Sequence, residues 1–154
     1  MEIERKFLVK ELPADLEQYP HIEIEQGYLC TSPTLRIRKA GDAFWLTVKE
    51  KIQTESGAIH NREEEFKLTK EAYQALKAKC DGRMVCKTRY KIPLNHNEYT
   101  AELDIFHGFH EGLRIVEVEF SSTIAADTFV PPSWFGEDVS QLPQYRNSYM
   151  AFQQ

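Results

Sequence analysis

The N-terminal stretch Glu2-Ile3-Glu4-Arg5-Lys6-Phe7 places charged and apolar side chains at alternate positions, with Arg5 as the exception. Such alternation is typical of a β-strand with one face in an apolar layer and the other in a polar layer. The same period returns at 35–38, 46–49, 63–68, 87–92, 101–105 and 116–120, and 24–31 is an eighth, less clearly patterned candidate. Short antiparallel strands therefore form the main part of the predicted fold.

Turns and a few helices complete the expected domain. Turn-forming residues separate the strands, as at Ala40-Gly41-Asp42. Thr69 is a suitable N-cap for a short amphipathic helix, and further short helices are predicted over 123–129 and 145–152. We find no linker and no internal repeat. The fold class is therefore mainly β (α+β), with residues 1–154 as a single domain.

Composition excludes several classes of protein. The 154 residues are 42% apolar and 28% charged, which is typical of a globular chain. A net charge of −5 disfavours nucleic-acid binding, and no apolar run approaches the ~20 residues needed to cross a bilayer, so neither partner is expected. The charged N-terminus does not resemble a signal peptide, and three cysteines without C-x-x-C spacing favour inert thiols in a reducing compartment. We expect a cytoplasmic protein.

The charged residues that share strand faces are unusual in their grouping. A solvated sheet face is the ordinary interpretation, but such a face mixes Thr, Ser, Gln and Lys, whereas here pairs of acids recur on four strands. Neighbouring carboxylates repel each other unless a cation neutralises them. The acids on these faces are Glu2, Glu4, Glu63, Glu65, Glu102, Asp104, Glu117 and Glu119. The bases are Lys6, Arg36, Arg38, Lys49, Lys51, Lys67, Lys87, Arg89 and Lys91.

If eight strands closed into a barrel, these charged faces would line its interior. Carboxylates and cations would then share one water-filled space. That arrangement suits a metal-bound polyanion, with carboxylates holding Mg²⁺ or Mn²⁺ and cations holding phosphate oxygens. Planar guanidinium groups, as in the Arg36-x-Arg38 pair, fit phosphate oxygens especially well.

The order of the motifs points to a known family. The E-x-E-x-K pattern at 2–6 is followed by Gln26-Gly27-Tyr28-Leu29, Leu35-Arg36-Ile37-Arg38, Leu46-Thr47-Val48-Lys49, Lys87-Thr88-Arg89-Tyr90, Glu102-Leu103-Asp104 and Val116-Glu117-Val118-Glu119. Trp134-Phe135-Gly136 and Tyr145-Arg146-Asn147 close the series. This ordered set spans essentially the whole chain and resembles the CYTH domain of the triphosphate tunnel metalloenzymes, in particular the small bacterial tripolyphosphatases.

The resemblance implies a closed eight-stranded antiparallel β-barrel that holds a triphosphate and a divalent metal. The implied metal ligands are Glu2, Glu4, Asp104, Glu117 and Glu119. The implied phosphate-binding residues are Lys6, Arg36, Arg38, Lys49, Lys87 and Arg89. Lys6, Glu63 and Glu65 are the predicted catalytic residues, the two acids as candidates for orienting the attacking water. Many relatives carry a Lys or Arg immediately before the C-terminal Tyr, where this chain has Pro143 and Gln144, so either Arg146 replaces it or the contact is absent.

The predicted activity is Mg²⁺- or Mn²⁺-dependent hydrolysis of a triphosphate, with inorganic tripolyphosphate giving pyrophosphate and orthophosphate. Phosphoryl transfer needs positioning and charge neutralisation more than a covalent nucleophile, and none is patterned here. Thiamine triphosphatase or adenylate cyclase activity on the same fold stays open, as does a non-catalytic module that binds polyphosphate or nucleotide. A carrier of apolar ligands would need an apolar lumen, which the charged faces contradict. The sequence leaves a monomer and a homodimer equally open.

Overall fold

The computed structural model describes residues 3–53 and 59–153, with side chains described for 3–51 and 62–153. Its strands are β1 (Ile3–Val9), β2 (His21–Thr31), β3 (Thr34–Ala40), β4 (Ala43–Gln53), β5 (Ile59–Leu68), β6 (Asp81–Leu94), β7 (Tyr99–His107), β8 (Arg114–Phe120) and β9 (Phe135–Asp138). Its helices are α1 (Lys70–Lys77), α2 (Thr123–Thr128) and α3 (Asn147–Ala151), with single 3₁₀ turns at Leu16–Gln18, Gly108–His110 and Pro143–Tyr145. In this described part, no helix is long and apolar enough to cross a membrane.

The strands form one sheet in the order β5-β4-β3-β2-β6-β7-β8-β1-β9. All eight predicted strands are present, but the predicted closed eight-stranded barrel is wrong. The described residues contain nine strands, and the sheet has two ends, β5 and β9. The ninth strand pairs with β1 at Phe7↔Asp138 and Val9↔Phe135, on the edge that closure would have required. Strand β9 was not predicted because its four residues are too few to show alternation. The period of a strand also does not reveal which strand edges pair.

Two helices begin at capping side chains, α1 at the predicted Thr69 and α2 at Ser122. The Thr69 Oγ1 accepts a hydrogen bond from the Ala72 backbone N–H at 3.1 Å, at the start of α1. The Ser122 Oγ does the same for Ala125 at 3.0 Å, at the start of α2. The predicted helix at 145–152 is shorter than expected, because Pro143–Tyr145 forms a separate 3₁₀ turn before α3. At the β3–β4 hairpin, Gly41 adopts a φ of 57°, which favours glycine.

The described residues divide into two compact units. Unit 1 comprises residues 1–22 and 87–145, and unit 2 comprises 23–86 and 146–154. The core of unit 1 lies on the face of β1, β7 and β8 opposite the acids, where Phe7, Leu103 and Val116 are buried. The Phe7 ring centroid lies 5.0 Å from that of Phe135, and helix α2 contacts β1 and β8. Each such buried side chain contributes roughly 1.5–3 kcal/mol.

In unit 2, helix α1 covers one face of the sheet. Tyr73 is completely buried, and its ring lies 5.0 Å from that of Phe44. The Tyr73 hydroxyl donates to Glu25 Oε1 at 2.7 Å, which ties α1 to β2. Gly27 allows close packing here, since a Cβ at that position would lie 2.5 Å from the Met84 sulfur. Gln26 and Tyr28, the neighbours of Gly27 on β2, therefore project from the opposite face of the sheet.

Candidate functional site

Unit 1 collects acids and bases on the face of its sheet opposite the core. The register places Lys6 of β1 opposite Glu117 of β8, and Glu117 opposite Glu102 of β7. Glu4 lies opposite Glu119 in the same β1–β8 ladder. Because side chains alternate along a strand, these residues project from one face. The structure thus brings together charged groups from strands that are more than 100 residues apart.

Glu4 and Glu117 form a carboxylate pair. Burial, a hydrogen bond with Glu4 and the negative charge of Glu4 together raise the pKa of Glu117 to about 7, against the lowering effect of Lys6 and Arg89. Two carboxyl groups can share a hydrogen bond only if one of them carries a proton. In the absence of a metal, the pair therefore retains a proton at a pH where an ordinary glutamate has lost it.

Lys6 is held by both its backbone and its side chain. Its ammonium donates to the Tyr145 carbonyl oxygen at 3.1 Å and lies 3.9 Å from Glu117 Oε2. Its backbone N–H donates to Ser140 Oγ at 2.8 Å, and its carbonyl accepts from the Val139 N–H at 2.8 Å. The segment after β9 thereby fixes the position of Lys6 on β1.

Asp104 is committed to two cations. It accepts from Arg89 Nε at 2.7 Å and Arg89 Nη2 at 2.9 Å, and from the Lys87 ammonium at 2.9 Å. Lys87 is completely buried, and its ammonium also lies 5.5 Å from the centre of the Phe106 ring. Burial alone would raise the pKa of Asp104, but Lys87 and Arg89 together lower it. Arg89 Nη1 also reaches Glu102 Oε2 at 3.3 Å.

Unit 2 carries a different polar cluster, built on β2, β3 and β4. Arg38 lies opposite Gln26, and Arg36 lies opposite Tyr28 on one side and Thr47 on the other. Arg38 donates from Nε (3.0 Å) and Nη2 (2.7 Å) to Gln26 Oε1, and Gln26 Nε2 donates to the Tyr28 hydroxyl at 3.0 Å. Burial raises the pKa of Tyr28, so this phenol keeps its proton over the working pH range.

Arg36 has an unused donor. Its Nη2 donates to Thr47 Oγ1 at 3.2 Å, whereas its Nε is buried and has no hydrogen-bond partner among the described residues. A buried N–H without a partner is costly, and an arriving anion would satisfy it. Lys49, half-buried on β4, lies opposite Glu63, and Thr47 lies opposite Glu65. Glu63 and Glu65 are both exposed.

The structure separates the predicted metal ligands into groups. Glu4 and Glu117 are paired, Asp104 is bonded to cations, Glu119 is exposed, and Glu2 lies outside the described residues. Within the range for which side chains are described, no three His, Cys, Asp or Glu residues form a group that could hold a metal ion. The five-residue ligand set therefore stays a prediction, as does the replacement role of Arg146, which is exposed.

Sequence reasoning assigned no role to several residues that organise these clusters. Gln26 and Tyr28 carry no charge, so a count of charged residues passes over them, although both share the alternating period of their strand. Arg5 lies on the apolar face of β1, where it donates to Asp138 Oδ2 at 2.9 Å and to the Ala126 carbonyl at 2.9 Å. The position of Arg5 among the apolar residues of the alternating strand was the sequence feature that could have indicated this role.

Comparison with known proteins agrees with this residue pattern. A sequence model of the CYTH domain matches residues 1–127. The chain belongs to the CYTH domain family. An inorganic triphosphatase of Nitrosomonas europaea is 39% identical over 155 residues, covering 97% of this chain and 96% of that protein. An inorganic triphosphatase of Acetivibrio thermocellus is 34% identical, covering 96% and 90%.

A solved structure supports the same CYTH assignment. The crystal structure of an inorganic triphosphatase is 36% identical to this chain, covers 100% of it and 96% of its own length, and has a TM-score of 0.78. The resemblance drawn from the ordered motifs is therefore confirmed, and the CYTH fold accounts for the mainly β architecture with few helices.

Proposed function

We propose that this chain is a metal-dependent inorganic triphosphatase that hydrolyses tripolyphosphate to pyrophosphate and orthophosphate. The observation that carries the proposal is the Arg36–Arg38 cluster of unit 2, in which one guanidinium is held in place and the other has a buried donor ready for an anion. Two relatives that match this chain over nearly its full length are inorganic triphosphatases. A triphosphatase activity accounts for the nine bases that share strand faces in a protein of net charge −5.

The phosphate-binding role falls to Arg36, Arg38 and Lys49 in unit 2, and to Lys6, Lys87 and Arg89 in unit 1. Guanidinium groups form paired hydrogen bonds with phosphate oxygens, which fixes orientation as well as charge. Lys87 is a special member of this set, because Asp104 already holds its ammonium. A phosphate oxygen would have to share the ammonium with that carboxylate.

A divalent cation fits the Glu4–Glu117 pair. The two carboxylates share a proton, and a divalent cation can take the place of that proton. Mg²⁺ and Mn²⁺ prefer oxygen ligands of this kind. We assign Glu2, Asp104 and Glu119 as the remaining members of the proposed ligand set. When bound, the metal would neutralise charge on the phosphate oxygens.

The chain's own residues supply positioning and charge during phosphoryl transfer. The fixed guanidinium and ammonium groups stabilise negative charge that spreads over the transferred phosphoryl oxygens. Lys6 is suited to this task because Ser140 and Tyr145 restrict its backbone and side chain. The exposed carboxylates of Glu63 and Glu65 are the proposed groups that orient the attacking water.

The substrate class follows from the number of basic residues in the proposed phosphate-binding set. Six basic residues match the charge of a triphosphate better than that of a pyrophosphate, which would leave part of the set unused and lose alignment. Pyrophosphate should therefore accumulate as a product. Inorganic tripolyphosphate is preferred over a nucleotide or thiamine ester because no insertion in the 154 residues offers a site for a base or a thiazole.

A phosphate-release assay tests the proposal. Tripolyphosphate, thiamine triphosphate, ATP and pyrophosphate are each supplied with Mg²⁺, with Mn²⁺ or with EDTA. The expected result is rapid release from tripolyphosphate with either metal, slow release from pyrophosphate and none with EDTA. Binding of tripolyphosphate without turnover under every metal condition would support the non-catalytic module instead.

A further inference from the structure

Gln26 occupies an unusual position for an amide side chain. It is completely buried in β2, directly opposite Arg38 of β3. Burying an amide is unfavourable unless its polar atoms are hydrogen-bonded. Here both ends of the amide are used: the oxygen accepts two bonds from Arg38, and the nitrogen donates to Tyr28.

The chemistry of Arg38 fixes the orientation of this amide. A guanidinium can only donate, so the atom of Gln26 that faces it must be the carbonyl oxygen. The NH₂ group is then obliged to face Tyr28, whose hydroxyl oxygen accepts. Arg36 lies opposite Tyr28 in the β2–β3 ladder. A single amide thereby connects Arg38 to the residue that lies opposite Arg36.

The neutrality of Gln26 distinguishes it from the residue that holds Arg89. Asp104 grips Arg89 through the same two nitrogens, Nε and Nη2, but brings a negative charge with it. Gln26 likewise accepts two hydrogen bonds from Arg38, but it adds no charge. A carboxylate at position 26 would offset part of the positive charge that attracts phosphate oxygens.

We propose that Gln26 is a positioning residue for phosphate binding, which fixes the Arg38 guanidinium and the Tyr28 hydroxyl without reducing the positive charge of the cluster. The inference rests on the proposed triphosphatase function. It assigns Gln26 an effect on substrate affinity rather than on the chemical step.

Two substitutions separate geometry from charge. Gln26→Glu keeps an acceptor for Arg38 but adds a negative charge, and Gln26→Met keeps the side-chain length but removes the acceptor. Gln74→Glu, on the exposed surface of α1 in the same unit, is the matched control for the charge change. KM and kcat for tripolyphosphate are measured with Mg²⁺, and the melting temperature is measured without substrate.

We expect Gln26→Glu to raise KM by about tenfold or more, the range for a charged hydrogen-bonding group. Gln26→Met should raise KM by about three- to tenfold, with kcat changed less than KM. Gln74→Glu should leave KM within twofold of the wild-type value. A merely structural role would instead lower the melting temperature and the active fraction while KM stayed constant.

A double-mutant cycle with Arg38→Met shows whether Gln26 acts through Arg38. If it does, Gln26→Met should change KM by less than about twofold once Arg38 is replaced. Equal effects of Gln26→Met in both backgrounds, or wild-type KM in both Gln26 variants, would overturn the inference while leaving the triphosphatase proposal standing. A wild-type protein that neither binds tripolyphosphate in calorimetry nor hydrolyses it would overturn both.

Discussion

Replacing Asp104 by Asn removes one negative charge from between two cations while keeping the shape of the side chain. In the wild type, Lys87 is completely buried with its ammonium 2.9 Å from Asp104, and Arg89 makes two bonds to the same carboxylate. Removing one partner of a buried ion pair leaves the other charge uncompensated, at a cost of about 3–5 kcal/mol. For a chain of this size, the melting temperature should fall by roughly 6–20 °C.

The assay is urea unfolding followed by circular dichroism, with Asp127→Asn as the control. Asp127 is exposed on α2 in the same unit, so the same chemical change there should alter the free energy of unfolding by less than about 0.5 kcal/mol. Adding Lys87→Met to Asp104→Asn should recover part of the loss, since the uncompensated ammonium is then gone.

The pH dependence of the difference has a fixed sign. The folded-state pKa of Asp104 is lowered, so its contribution to stability is present above the unfolded pKa and is lost as pH falls through the folded pKa. The gap between wild type and Asp104→Asn should therefore be constant near neutral pH and shrink in acid. A loss below about 1 kcal/mol, or a gap that widens in acid, would refute the ion-pair argument.

Three further outcomes follow from the site. Glu4→Gln should remove most activity with little change in melting temperature, because Glu4 is exposed. Equal loss of activity and of melting temperature would indicate a structural role. Arg38→Ala should weaken tripolyphosphate binding by about 1.5–3 kcal/mol, measured as KM, and unchanged KM and kcat would exclude it from the phosphate set. Since the pKa of Glu117 is raised to about 7, protons compete with metal below that value, so activity should increase from acid to alkaline pH; a flat pH–rate profile would contradict this.

Much of the fold could be predicted from alternation alone, and the exceptions have physical causes. Seven strands have a clear period of two, an eighth at 24–31 has a weaker one, and Thr69 carries cap chemistry, so these elements are visible in the sequence. Strand β9 is too short to show a period. The open sheet could not be foreseen, because it depends on which strand pairs with the edge of β1. That strand is β9, about 130 positions further along the chain.

The sequence predicts which sheet face each site residue occupies, but not which side chains it contacts. Alternation places Asp104 and Glu117 on one side of the sheet, yet only the register determines what each one meets. Asp104 meets the Lys87 ammonium and the Arg89 guanidinium, which hold it ionised. Glu117 meets another carboxylate, that of Glu4, with Lys6 at the longer distance of 3.9 Å.

The two acids are therefore suited to different tasks, although both belong to the predicted metal set. A carboxylate already neutralised by two cations gains little from a metal, and moving it would expose the buried Lys87 charge. A carboxylate that holds a proton against another carboxylate gains most when a divalent cation takes the place of that proton. Metal affinity should accordingly fall much further in Glu117→Gln than in Asp104→Asn, once the comparison is made at a temperature where both variants are folded. Isothermal titration with Mn²⁺ measures this ordering directly, and the reverse order would show that Asp104 exchanges its cations for the metal.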